Sequence, residues 1–366
     1  MNNMGSHSMS DWARGLCLAL VAACSSASAV NGTGVPPATC TFKNPIATGA
    51  DPWVIRDGSY YYLAESRDNG IYIYKSPTLT SIKQNPVKVW TVPATGWNET
   101  NIWAPELHHI NGLWYIYYAG GRRHANGSDA PFTSQRAGVL QSVADDPQGA
   151  YVDKGMLYTG DALGSGAGDV WAIDLTVGQI NGQLYAVWSG WDQNNATTDK
   201  IPQNLYIARM ADPVTISTNR VRISAPDASW EQGPELNLEE GPEFLEHAGQ
   251  KFIIYSTNDS WLPSYRLGQL RLTTPTADPM NPASFVKSGP VFSGATDVYG
   301  VGHASFTTSP DGTEDWIVYH SKIDPAPGWN RDIRTQKFTW NADGSPNFGV
   351  PVSTGASIAM PAGQCK

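Results

Sequence analysis

Gly49-Ala50-Asp51-Pro52-Trp53-Val54, followed by a glycine at 58 and then by Tyr60-Tyr61-Tyr62-Leu63, is a short strand, a tight turn and a second, aromatic-rich strand. The unit returns four more times. Its further copies begin Ala104-Pro105-Glu106-Leu107, Asp174-Leu175-Thr176-Val177, Gly241-Pro242-Glu243-Phe244 and His303-Ala304-Ser305-Phe306. Each leads to a turn glycine, at 112, 182, 249 and 312, and then to an apolar run such as Leu113-Trp114-Tyr115-Ile116-Tyr117-Tyr118 or Trp316-Ile317-Val318-Tyr319. The turn glycines are 54, 70, 67 and 63 residues apart. A strand-type repeat of about sixty residues marks a radial array of sheets. The expected fold is all-β: a five-bladed β-propeller with four-stranded antiparallel blades around a central channel.

In such an array the first strand of every blade lines the channel, so equivalent positions converge however far apart they lie in sequence. Three copies carry a carboxylate near this place: Asp51, Asp174 and Glu240, the last one residue ahead of the in-register Gly241. The fifth carries His303. A lone Asp before Pro, or a lone Glu beside Gly-Pro, would be an ordinary turn residue. Three in register in one array are candidates for a shared site.

Facing carboxyl groups in a Trp-rich cleft suit glycosidic bond hydrolysis, where one must arrive protonated and the other ionised. Other chemistries lack their residues. There is no Gly-rich phosphate loop, no Cys-x-x-Cys pair and no His-Glu-x-x-His helix, and Gly164-Ser165-Gly166 is not a nucleophile elbow. The neighbours His108 and His109 would point to opposite faces of a strand and could not easily share a metal.

Composition agrees with a sugar-directed β protein. Among 366 residues there are 14 Trp and 16 Tyr, which suit short strands and flat surfaces for sugar rings. The net charge is -9, and Lys and Arg form no cluster. Nucleic acid is thereby excluded as a partner, and long polyanionic glycans are disfavoured.

Arg14, the apolar run Gly15-Leu16-Cys17-Leu18-Ala19-Leu20-Val21-Ala22-Ala23 and the small-residue site Ala27-Ser28-Ala29 read as a secretory signal over residues 1–29. That run is too short to span a membrane permanently. Residues 30–366 are then one secreted propeller domain, free of the membrane unless Val21-Ala22-Ala23-Cys24 acts as a lipobox and anchors the chain at Cys24. Cys40 and Cys365 remain beyond the signal, and in an oxidising compartment they are expected to form a disulfide between the two ends of the domain.

At these same residues the chain resembles glycoside hydrolase family 43, the five-bladed propeller enzymes that trim arabinan and xylan. The stretches that carry the resemblance are Gly49-Ala50-Asp51-Pro52, Ile102-Trp103-Ala104-Pro105-Glu106-Leu107, Ala172-Ile173-Asp174, Glu240-Gly241-Pro242 and Gly302-His303-Ala304-Ser305. They span nearly the whole expected domain in the family's order. One departure is Leu175, where many relatives have Pro after the second aspartate.

The resemblance implies inversion, with Asp51 as general base on water, Glu240 as general acid, and Asp174 tuning the acid's pKa and orientation. Inversion calls for roughly 6.5 to 9.5 Å between the two working carboxyls. Glu243 is the chief rival for the acid, and Glu106 and Glu235 are further candidates. Arg331 is similar to the family's arginine beside the base and sugar, with Arg334 as the alternative. Trp53 and Trp103 are candidate walls of the sugar pocket. His303 looks like the axial histidine that holds water or a structural calcium in the channel; the chemistry itself needs no cofactor.

The Trp-Ala-Pro-Glu-Leu-His and Glu-Gly-Pro-Glu-Phe stretches look nearest to exo-acting α-L-arabinofuranosidases, and there is no room for the C-terminal sandwich of many β-xylosidases. The expected activity is release of terminal arabinofuranose from 1,5-linked arabinan and its oligosaccharides by a monomer. Endo-arabinanase, β-xylosidase and a non-catalytic glycan-binding propeller are the alternatives.

Overall fold

The computed structural model describes residues 40–165 and 169–365. The expected signal segment, with Cys17 and Cys24, lies outside them. Five antiparallel sheets follow one another along the chain, each running from its inner strand outwards. Their inner strands are Trp53–Asp57, Thr100–Ile110, Ala172–Ile180, Glu239–His247 and Tyr299–Thr308. The chain is a five-bladed β-propeller, as the repeat predicts, with a fifth short strand added in blades three and five.

Blade five closes the ring with a segment from the other end of the domain. Its third strand, Arg331–Trp340, pairs with Ala47–Thr48 through Ile333 and Asp332. A second antiparallel pair joins Thr41–Lys43 to Ser357–Ala359. Beside it Cys40 and Cys365 form the expected disulfide, with Cα atoms 6.0 Å apart. The Gln364 side chain accepts a hydrogen bond from the Leu79 amide at 3.0 Å, which fastens the same end to blade one.

Why the second strands are continuous apolar runs, rather than the alternating pattern of a half-exposed sheet, follows from the blade stacking. Each blade is covered on both faces. Tyr61 and Leu63 pack against Trp316 and Val318 of blade five. Their neighbours Tyr62 and Ala64 pack against Trp114 and Ile116 of blade two. The same division recurs in blade three, where Ala186 and Trp188 face blade two while Tyr185 and Val187 face blade four. Every interface between blades thus has its own core. Trp188 is fully buried in one of them, and truncating it to Ala would cost about 3 to 5 kcal/mol.

Where each blade begins, the chain departs from regular strand geometry in a repeated way. Asp51, Ala104, Asp174, Gly241 and His303 all have positive φ, between 41° and 53°. In blades two to five this residue sits in a one-residue bulge. The register slips between Trp103 and Glu106, Ile173 and Thr176, Glu240 and Glu243, and Gly302 and Ser305. A left-handed conformation costs a non-glycine residue roughly 1 to 2 kcal/mol, so four such residues at one place store strain around the axis. Gly241 has a second reason to be glycine: a Cβ there would lie 3.2 Å from the His303 ring.

The disulfide joins the ends of the ring at the seam between blades five and one. Cys40→Ser is expected to lower unfolding free energy by about 2 to 4 kcal/mol, read from urea denaturation with and without reductant. An unchanged midpoint would mean that strand pairing alone closes the ring.

Candidate active site

The bulges bring the repeat's special residues to one mouth of the channel. Asp51, Asp174, Glu240, His303 and Arg331 all line one cavity of about 440 Å³. This volume suits one or two sugar rings. Its walls rise from loops that join the second and third strands of blades two to five, at residues 122–135, 191–203, 258–265 and 323–330. Blade one has only the two-residue turn Asp68-Asn69 there, so the wall is lowest on that side.

Asp51 is surrounded by nitrogen. Its Oδ1 lies 3.2 Å from His303 Nδ1, 3.2 Å from His320 Nδ1 and 3.5 Å from Arg331 Nη1. Its own backbone N–H donates to His320 Nδ1 at 3.1 Å. Burial raises the proton affinity of this carboxyl, but His303, the His320 hydrogen bond and the Arg331 guanidinium together outweigh it. The net effect holds Asp51 well below the usual carboxylate range. Burial in turn pushes both imidazoles down, His320 to about 3. These closest contacts converge on Oδ1, which leaves Oδ2 the freer oxygen to meet a water or a substrate.

Glu240 has the opposite setting. It is buried at 7% exposure, and burial, helped by the negative charge of Asp51, raises its pKa to about 7. Tyr265 moderates the rise by donating its hydroxyl to Oε1 at 2.8 Å. Asp174 is deeper still, and burial plus the charges of Glu240 and Asp51 push it well above the carboxylate range. Its Oδ2 accepts the Gly241 N–H at 3.1 Å. Asp174 therefore grips the peptide that carries Glu240 rather than the Glu240 carboxyl.

Trp103 and Arg331 lie where a sugar-facing role requires, on the cavity wall. Trp53 does not, and that expectation is corrected. Its indole N–H donates to Leu107 O at 2.6 Å and its ring packs against the His108 ring at 4.4 Å, tilted by 32°, so it is used to join blades one and two. Arg334 is likewise removed from consideration: it is buried on Ser321 and Thr354. Glu243 is buried off the cavity wall, next to Glu106 and 3.5 Å from the Thr176 hydroxyl. Alternation alone would have sent Glu240 and Glu243 to opposite faces; the bulge between them turns both inward. Glu235 is exposed and off the cavity wall.

A calcium ion wants six to eight oxygen ligands. Among the described residues no group of three or more His, Cys, Asp or Glu is arranged to hold a metal ion. His303 presents its Nδ1 to Asp51 Oδ1 at 3.2 Å.

Several wall residues are invisible in the repeat because they sit on its insertions. Phe132, Trp171, Trp261 and Trp329 all come from outside the inner strands. Trp171 stacks on Trp191 at 4.4 Å and donates to Phe132 O at 2.8 Å, tying the loops of blades two and three together. His320 and Tyr265, the partners of Asp51 and Glu240, lie one or two strands further out. Only the order of apolar residues, broken by a polar ring at His320 in an otherwise buried strand, could have drawn attention there.

Splitting a glycosidic bond is the reaction that asks for one carboxyl protonated and another ionised in the same aromatic pocket. The class that fold and pocket define is a glycoside hydrolase. The family model for glycosyl hydrolases family 43 matches residues 42–346, and the chain belongs to that family. It is 37% identical over 362 residues to an extracellular exo-α-(1→5)-L-arabinofuranosidase of Streptomyces avermitilis, with 93% of this chain and 70% of the relative covered. It is 35% identical over 340 residues to α-L-arabinofuranosidase 43 of Humicola insolens, covering 87% of this chain and 65% of the relative. A solved α-L-arabinofuranosidase from Lactobacillus brevis superposes with a TM-score of 0.75 at 32% identity, over 86% of this chain and 98% of that one.

The buried Glu240 carboxyl is expected to titrate near pH 7 in a carboxyl carbon-13 NMR experiment. Because the Tyr265 hydrogen bond favours the ionised form, Tyr265→Phe moves that midpoint to higher pH. A midpoint in the ordinary carboxylate range would contradict the burial described here.

Proposed function

We propose that this glycoside hydrolase is a secreted, inverting exo-α-L-arabinofuranosidase that removes terminal arabinofuranose from 1,5-linked arabinan and arabino-oligosaccharides. The observation that carries the reading is two carboxyls with opposed surroundings in one cavity: Asp51 beside Arg331 and two imidazoles, Glu240 buried on the Tyr265 hydroxyl. The printed activities of the relatives supply the sugar and linkage, and the extracellular naming of the relative from Streptomyces avermitilis supports secretion.

In this reading Glu240 gives its proton to the glycosidic oxygen as the bond from that oxygen to C1 breaks. A water on the other face of the sugar forms the new bond to C1, and Asp51 takes its proton. The water's attack opposite the leaving group inverts the anomeric centre. Proton exchange with solvent then returns both carboxyls to their starting states. Asp174 serves mainly by holding the Gly241 amide, which sets where the Glu240 side chain starts. The loops of four blades support exo action, since a pocket walled on most sides admits a chain end more readily than a chain middle.

Asp51→Ala and Glu240→Ala are each expected to lower kcat by a factor of about 10² or more, the usual scale for removing an acid or base. The assay is arabinose release from linear arabinan, with proton NMR of the first-formed anomer. Turnover persisting in both variants would sink the catalytic assignment, and a retained anomeric configuration would sink inversion. Oligosaccharide ladders instead of arabinose would shift the reading to endo action.

A pH dependence follows from the same groups. As pH rises through about 7, Glu240 loses the proton it must donate, so kcat/KM falls on the alkaline side. The acid limb, set by Asp51, lies below the usual carboxylate range. Asp174→Asn can still accept the Gly241 N–H through its amide oxygen, whereas Asp174→Ala cannot. Asp174→Asn should therefore retain more kcat than Asp174→Ala; equal losses would point to charge rather than orientation.

A further inference from the structure

We infer that Trp329 and Trp261 form the subsite for the leaving sugar, a second arabinofuranose ring joined to the one being released; this rests on the arabinofuranosidase reading above. Trp329 is 62% exposed at the lip of the cavity. An indole left so open in water gains most from a partner that covers it, and the C–H face of a neutral sugar ring is such a partner.

The platform is built and held in place. The two indole centroids are 5.5 Å apart and tilted by 48°, so the rings make a shallow V rather than a closed stack. Gly328 N–H donates to Trp261 O at 2.9 Å, and Lys322 Nζ donates to Gly328 O at 2.7 Å. The Arg331 guanidinium sits 4.9 Å from the Trp329 ring centroid, and Lys200 Nζ sits 4.0 Å from that of Trp261. A cation lies over each ring, and Trp329 keeps most of its surface open to a ligand. Loops fastened in this way lose little freedom when a sugar binds.

Position makes the assignment directional. The acid must touch the glycosidic oxygen, so the leaving sugar begins at Glu240. Ser260, next in sequence to Trp261, lines the cavity close enough to that same carboxyl to favour its ionised form. A ring departing from Glu240 therefore meets Trp261 and Trp329 first. Across the cavity Trp103 is locked edge-on against Phe132 at 4.9 Å, and Trp171 is 2% exposed. That side is enclosed and fits the terminal sugar.

The test compares 1,5-α-L-arabinotriose with α-L-arabinofuranosyl fluoride, whose leaving group is a single atom with no ring to stack. In Trp329→Ala the ratio of kcat/KM for the trisaccharide to that for the fluoride is expected to fall about tenfold. Trp329→Phe should restore part of it. An unchanged ratio overturns the subsite, including the case where both rates fall together, since Trp329 would then act through Arg331 on Asp51. If the wild-type protein cleaves neither probe, the arabinofuranosidase reading falls and the subsite with it, a result distinct from an unchanged ratio.

Discussion

Everything at the mouth of the channel depends on one backbone constraint, the left-handed residue at the head of each blade. It turns the chain as it enters the inner strand, and in four blades it sits in a bulge that adds one residue against the neighbouring strand. The turn aims side chains across the axis that a straight strand would send into the blade interfaces. Three of the five positions spend it on Asp51, Asp174 and His303. Blade two uses Ala104, whose small side chain leaves Trp103 to form wall. Blade four uses Gly241, and that choice lets the preceding Glu240 enter the cavity while the His303 ring packs against the bare Cα.

From this geometry the electrostatics follow. Blades five and one meet at the seam of the ring, and both His303 and His320 of blade five reach Asp51 there. Arg331 joins them from the strand that Ala47–Thr48 completes. The ring closure and the ionised carboxylate thus share an element. Glu240 stands across the cavity, contacted by Tyr265 and Ser260 rather than by a close cation. Two groups of nearly equal intrinsic acidity are separated by what touches them, Arg331 for one and a low-dielectric wall for the other.

The architecture was legible in the sequence because each blade repeats the same physical demand. Both faces of the second strand are buried, so Tyr61 to Leu63 or Trp316 to Tyr319 must be continuously apolar, and the tight turn before them takes glycine at positive φ. Asp51, Asp174 and Glu240 were legible for the same reason, as exceptions in register. Trp53 was misread since adjacency to Asp51 in sequence says nothing of direction once the backbone turns left-handed at 51; its indole N–H is spent on Leu107 O. Tyr265, Trp261 and Trp329 lie on insertions that carry no repeat, while His320 ends the apolar run of a second strand, where the repeat gives no hint that it reaches Asp51.

Two more buried carboxyls lie next to Asp174, off the cavity wall. Glu106 and Glu243 are buried at 2% and 4% exposure, Glu106 against His108 and Glu243 against the Thr176 hydroxyl at 3.5 Å. Burial and nearby Asp174 raise the proton affinity of both, and Glu106 raises that of Glu243 further. His108 touches Glu106 at 3.0 Å but is itself pushed down to about 3 by burial, so it brings no compensating charge. Had both carboxyls been ionised, two negative charges would face Asp174 and draw on the field of Arg331. Raised proton affinity works against that, and leaves Asp51 and Arg331 as the close charge pair of the cavity. The protonated state of Glu240 is then set by its own surroundings and not by a surplus of carboxylates beneath it.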